Sequence, residues 1–160
     1  VVDEFTRECL ALEVARRVDT RQVREVLAPL MKGRGAPKFI RSDNGGEFVA
    51  RLIAVFLSQS GSGSHYIEPG KPWQNGFVES FHFTLRREHL DVELFLNLAD
   101  TQANKAVYRR YYSEVRPHAS LGYRPPAEAA LARAVVNSTR ATPSLRCQPP
   151  VPESAESLIF

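Results

Sequence analysis

The segment Pro37-Lys38-Phe39-Ile40-Arg41-Ser42 reads as a short strand that runs straight into Asp43 and a turn, Asn44-Gly45-Gly46. Helical patterns lie on both sides of it. A strand placed between two helices belongs to an α/β sheet, because such connections lay helices on the sheet faces. Upstream, Val1 to Asp3 reads as the end of a strand. Glu4 to Glu8 is a polar turn, and Cys9 to Val14 reads as a second strand, so the two predict a hairpin. Thr20 is placed to cap a helix whose Val23, Val26, Leu27 and Leu30 share an apolar face, and Gly33 and Gly35 stop it.

Downstream, Phe48, Leu52, Val55 and Phe56 mark a second helix. Ser58 to Ser64 is rich in Ser and Gly and reads as flexible; without a Lys and its frame it is no phosphate-binding loop. His65-Tyr66-Ile67 is a brief strand. Pro72 suits the first turn of a helix running from Trp73 to Leu90, with Phe77, Phe81 and Leu85 predicted inside. A further helix spans Leu98 to about Tyr112 and carries Ala103, Val107 and Tyr111 on one side. Arg116 to Pro126 is a Pro/Gly loop, and Ala127 to Val136 is a short Ala-rich helix. Residues 1–137 are therefore expected to form one domain. Residues 138–160, with Pro143, Pro149, Pro150 and Pro152, are expected to form a disordered tail.

Composition narrows the setting. The chain has 160 residues, 43% hydrophobic and 24% charged, enough for one real core. It holds no apolar run of about 18 residues and no secretory pattern. Cys9 and Cys147 fit neither a metal spacing nor a disulfide framework, so a cytoplasmic location without membrane partners is expected. Lys and Arg total 21 against 18 acids, and Lys occurs only at positions 32, 38, 71 and 105. Arg thus carries most of the positive charge, and its fork suits phosphate.

Asp43 stands at a strand's C-terminal end on a Gly-rich turn, where α/β sheets expose chemistry. Glu79 lies inside the helix that begins near Pro72. Taken alone, the first could be a turn aspartate and the second a solvated helix acid. The context gives them meaning. Arg41 to Phe48 resembles the second-aspartate motif of integrase-type transposases, and Ile67 to Phe81 resembles their glutamate motif. Arg116 to Pro126 resembles their closing motif, and Val1 to Arg7 resembles the segment just after their first catalytic strand. The resemblance covers roughly residues 1 to 130 and is nearest the IS-three family of insertion sequences.

That resemblance implies an RNase H-like mixed sheet flanked by helices. The first strand, with its aspartate, would lie upstream of Val1. It also implies a DDE transposase that cleaves DNA ends and performs strand transfer, with Asp43 and Glu79 as catalytic and metal-ligating residues. The cofactor would be Mg²⁺ (or Mn²⁺), expected as two ions. Such ions are hard and take carboxylate and phosphate oxygens. The partners would be transposon ends and target DNA, in a homo-oligomer. The alternative is a truncated, inactive fragment that at most binds DNA.

Asp3 is the nearest other acid and reads as a turn aspartate. Asn75, Glu79, His82 and Arg86 share one helix face, which makes Asn75, His82 and Arg86 candidates for DNA contact. The family has Asn-Gly where this chain has His82-Phe83. Lys71 before a helix start and Arg116 beside Arg109 and Arg110 are further candidates. His118, Trp73 and Tyr123 read as structural.

Overall fold

The computed structural model describes residues 1–43, 51–68 and 76–132, and the backbone of 157–159. A four-stranded mixed sheet forms the centre. Its strands are β1 (Val2–Asp3), β2 (Phe39–Ser42), β3 (Gly63–Tyr66) and β4 (Ser157–Ile159), in the order β1-β4-β2-β3. β2 runs parallel to β3 and to β4, whereas β1 is antiparallel to β4. The helices are α1 (Thr20–Arg34), α2 (Arg51–Gln59), α3 (Gly76–Leu85) and α4 (Leu98–Arg110), with residues 126–132 also helical. Among the described residues no helix is long and apolar enough to cross a membrane.

The helix boundaries follow local chemistry. Asp19, not Thr20, caps α1: its side chain accepts from the Gln22 amide, and the Gln22 side chain accepts from the Asp19 amide. This reciprocal box satisfies two amides that the first turn would otherwise leave unpaired. At the other end Gly35 takes φ 88°, a conformation that disfavours any side chain, and its amide closes on Met31. α2 then carries the chain from β2 to the parallel β3, as parallel pairing requires a crossover. α3 and α4 each run on into a wider π turn, Arg86–Leu90 and Tyr111–Val115.

The sheet separates two cores. Successive strand residues point to opposite faces. Accordingly, Val1 packs with Leu10, Val23, Leu27, Met31, Ile40, Ile53 and Leu57, while Val2 packs with Cys9, Phe81, Tyr108 and Tyr112. Leu27, Ile53 and Leu57 are almost fully enclosed.

Several expectations are corrected. The turn of the hairpin forms, with the Asp3 amide on Glu8 O and the Arg7 amide on Asp3 O, but only Cys9 bridges Val2 and residues 11–19 form no strand. Ser58 to Ser64 is not a loose linker: the helix α2 reaches Gln59, the Ser62 hydroxyl donates to Pro37 O at 2.7 Å, and Gly63 and Ser64 pair with Phe39 and Ile40. On α2 the buried residues are Ile53 and Leu57, while Leu52 and Val55 are exposed. The side of α4 that carries Val107 is exposed, as is Tyr111 in the π turn that follows, and the buried residue of α4 is Tyr108. Phe77 is also exposed. Ser157–Ile159, within the expected tail, pair as a strand in the interior of the sheet. Phe48, Trp73 and residues 133–156 lie outside the described residues.

Candidate active site

Asp43 follows β2 directly and is exposed at its C-terminal end. It lines a cleft of about 840 Å³ whose walls also include Val2 of β1 and Val78, Phe81 and His82 of α3. α3 is fixed there by its buried side. Val78 and Phe81 are inside, and the Phe81 ring meets Tyr112 edge-on at 4.9 Å. That leaves Glu79 exposed in the first helical turn, one turn ahead of His82 on the same side. A carboxylate at this position is favoured by the positive end of the helix dipole.

The structure thus brings Asp43 and His82 into one cleft, with Glu79 at the start of the helix that supplies His82. Lys71 and Asn75 lie outside the described residues. Desolvation of the His82 ring lowers its pKa, so near neutral pH it is a neutral hydrogen-bonding group. Arg86 is exposed and reaches Asp91 only at 4.0 Å. Arg116 is engaged elsewhere: its Nε and a terminal nitrogen donate to the two Glu88 oxygens at 2.6 and 2.7 Å. Arg110 pairs with Glu114 at 3.0 Å.

Asp3 is spent on local structure, since its Oδ1 accepts from the Phe5 and Thr6 amides, each at 2.8 Å. His118 is buried, its Nε2 lies 3.2 Å from Tyr112 O, and its pKa is lowered chiefly by burial. Tyr123, expected in the core, is instead 75% exposed, with φ 62°.

Sequence reasoning missed the residues that hold the hairpin turn against α3 and β2. The Arg7 guanidinium lies 3.6 Å above the Phe77 ring, two residues before Glu79. Such a cation–π contact is strong when partly desolvated. Arg41 reaches Glu4 at 2.9 Å, and Arg34 makes a two-pronged bond to Glu8 with both distances 2.9 Å. Burial alone would raise the Glu8 carboxyl, but the Arg34 fork and the Thr6 hydroxyl outweigh it and hold the pKa below its usual value. Each of these arginines faces an acid or a ring far away in sequence, which no local pattern announces.

Of the two acids Asp43 lines this cleft, whereas Glu79 is exposed on α3 outside its lining; carboxylate oxygens suit a hard divalent ion. Among the described residues no group of three His, Cys, Asp or Glu side chains is gathered to hold one. The donor type fits, and the number of donors is low.

Two models of the integrase core domain match the chain, one over residues 1–72 and the other over 60–126. A protein of insertion element IS476 from Xanthomonas euvesicatoria is 39% identical over 128 residues, covering 80% of this chain and 37% of that protein. A protein of insertion element IS407 from Burkholderia multivorans is 37% identical, covering 80% and 46%. The transposase of IS904 from Lactococcus lactis is 27% identical, covering 78% and 51%. The chain therefore spans about half or less of the length of these relatives. Among solved structures, the BIV integrase catalytic core matches with TM-score 0.58 at 22% identity, covering 79% of this chain and 80% of that one. The HTLV-2 integrase catalytic core in complex with magnesium matches with TM-score 0.57 at 17% identity, covering 80% of each. The fold is thus RNase H-like, and the family is set by the sequence matches that run from residue 1 to residue 126. The chain belongs to the integrase core domain family and is similar to proteins of insertion elements.

Proposed function

We propose that this core belongs to a DDE transposase that cleaves the ends of its element and joins them to target DNA, with Asp43 and Glu79 as metal-holding carboxylates. The observation that carries this reading is the exposure of both acids, one at the end of β2 and one on the first turn of the α3 helix that walls the Asp43 cleft. When bound there, Mg²⁺ or Mn²⁺ would activate the attacking oxygen and stabilise the leaving oxygen of an in-line displacement at phosphorus. His82, neutral near pH 7, offers a hydrogen bond to a DNA end. Arg86 offers charge to a phosphate. Arg116 is the weaker candidate, because Glu88 already occupies its fork. Lys71 and Asn75 remain candidates from the sequence, and a homo-oligomer at paired DNA ends is part of the same reading.

A second reading is a core that folds and at most binds DNA without cutting it. One observation favours it for residues 1–160 alone: β4, the strand beside β2, is Ser157-Leu158-Ile159 and carries no acid. Residues 1–160 alone are therefore expected to give no metal-dependent strand transfer. The assay is transfer of a labelled inverted-repeat end into plasmid DNA, run on this chain and on a chain extended upstream to the length of its relatives. The extended protein is expected to transfer. Its Glu79→Gln variant is expected to lose at least about 100-fold, the scale of one charge-stabilising group. Full transfer by Glu79→Gln would end the assignment of that residue.

A further inference from the structure

Arg7 closes the turn after β1 at φ 66°, the left-handed conformation that hairpin loops usually give to Gly or Asn. Its amide donates to Asp3 O at 2.9 Å. The turn is already well held without the Arg7 side chain. Asp3 Oδ1 accepts from the Phe5 and Thr6 amides, and Glu8 takes the two-pronged bond from Arg34 of α1. A Gly at position 7 would close the same turn with less strain, so what the arginine adds is its side chain.

That side chain makes one close contact. The guanidinium carbon lies 3.6 Å from the centre of the Phe77 ring. Nη1 is buried and has no hydrogen-bond partner, so the ring, not a hydrogen bond from that nitrogen, accounts for its place. Burial lowers the guanidinium pKa, as for a cation taken partly out of water, and such a cation binds a ring more strongly. Phe77 belongs to the first turn of α3, two residues before Glu79. First turns fray most easily, because their amides lack partners within the helix. Val78 is buried and holds one side of this turn, while Arg7 holds the neighbouring side through Phe77. Residues two apart lie about 200° round a helix, so whatever rotates Phe77 rotates Glu79 by the same angle. We propose that Arg7 is a positioning residue: by clamping Phe77 it fixes the rotation of the first turn of α3, and with it the direction in which Glu79 is offered. The proposal rests on the reading of Glu79 as a metal-holding carboxylate.

The test uses the protein extended upstream, with Arg7→Gly, Arg7→Lys, Phe77→Leu and the double variant Arg7→Gly/Phe77→Leu. Gly suits φ 66°, so Arg7→Gly keeps the turn while removing the clamp. Phe77 is 41% exposed, so Phe77→Leu spares the core and carries the same measurements should Arg7→Gly not fold. Strand transfer is followed against Mn²⁺ concentration at equal folded fraction. Arg7→Gly and Phe77→Leu are each expected to raise the Mn²⁺ needed for half-maximal transfer at least about tenfold, the scale for a residue behind a metal ligand. The double variant is expected to be no worse than either alone, since both remove one device. Arg7→Lys, which keeps a cation over the ring, is expected to recover part of the loss. Hydrogen exchange without metal or DNA reads the clamp apart from catalysis: the Ser80 and Phe81 amides are expected to exchange faster in Arg7→Gly, and those of α1 are not. An Mn²⁺ requirement or an exchange rate at the parent's value overturns the proposal, and so do losses that multiply in the double variant. Glu79→Gln run alongside separates two failures. If it transfers fully, the metal-holding reading falls and this proposal with it; if it is inactive while Arg7→Gly matches the parent, this proposal alone falls.

Discussion

One face of the sheet is packed by Leu10, Val23, Leu27, Met31, Ile40, Ile53 and Leu57, the other by Val2, Cys9, Phe81, Tyr108 and Tyr112. The first set is aliphatic and makes no directional demand. The second set is largely aromatic, and its rings meet at defined angles. Phe81 meets Tyr112 edge-on, Tyr112 meets His118 edge-on at 4.7 Å, and His89 stacks on Tyr108 at 4.8 Å. The Ser113 hydroxyl accepts from the Cys9 amide at 3.1 Å and ties this face back to the hairpin. Aromatic rings prefer particular angles, so they fix orientation as well as burial. The aliphatic core holds α1 and α2 to the sheet. The aromatic core sets the rotation of α3, and with it the direction in which Glu79 and His82 are offered.

This contrast can be broken first by truncation. Phe81→Ala should cost about 3–5 kcal/mol and Leu27→Ala about 2–5 kcal/mol, read from denaturant midpoints. The two should differ in kind. In the extended, active protein under conditions where each stays folded, Phe81→Ala should lower strand transfer further than its stability loss explains, and Leu27→Ala should not. Equal activity losses at equal folded fraction would erase the distinction between the cores.

The second test is pH. Burial lowers the pKa of His118 in the folded state, so the unfolded chain binds its proton more readily. Stability is therefore full above the unfolded value, about 6.5, and is lost as pH falls from there toward the folded value. His82, also lowered, adds to the same window. His118→Gln should flatten part of this slope in denaturation curves taken between about pH 7 and 5. An unchanged slope would mean that His118 titrates as freely folded as unfolded.

The smallest effect should come from the rim. Arg116 and Glu88 keep 23% and 34% of their side-chain surface exposed. Arg116→Ala should therefore cost only about 1 kcal/mol, and less in high salt. A loss near that of Phe81→Ala would move this pair into the structural centre of the aromatic face.

Much of this is legible in the sequence, and the failures have physical causes. The strand leading to Asp43 and the helix carrying Glu79 are readable because strand composition and helical spacing are local, whereas the turn expected at Asn44-Gly45-Gly46 lies outside the described residues. Asp3 and His118 read as structural, and the structure agrees. The inward side of α4 and the π turn after it is not readable, because Tyr108 and Tyr112 are buried by rings and a histidine from distant segments. The inward face of α2 reads one residue out of phase, since Leu52, Ile53, Val55, Phe56 and Leu57 leave few polar residues to mark the outside. β4 is three residues long, too short to show a period of two, and its pairing partners lie more than a hundred residues away. The contacts Arg7–Phe77 and Arg116–Glu88 join distant segments, so no short window of sequence contains both ends.

The two π turns give chain length itself a structural meaning. A turn closed over five residues holds one residue more than the helix it interrupts. Removing one residue between Arg86 and Leu90 would let that turn relax to ordinary helix and rotate the downstream chain by roughly 100°. Glu88 sits in that turn opposite Arg116, and His89 sits in it against Tyr108. A three-nucleotide deletion there would be felt as a twist of Glu88, His89 and the chain after them against the aromatic face, whereas the same deletion in an exposed loop would be absorbed.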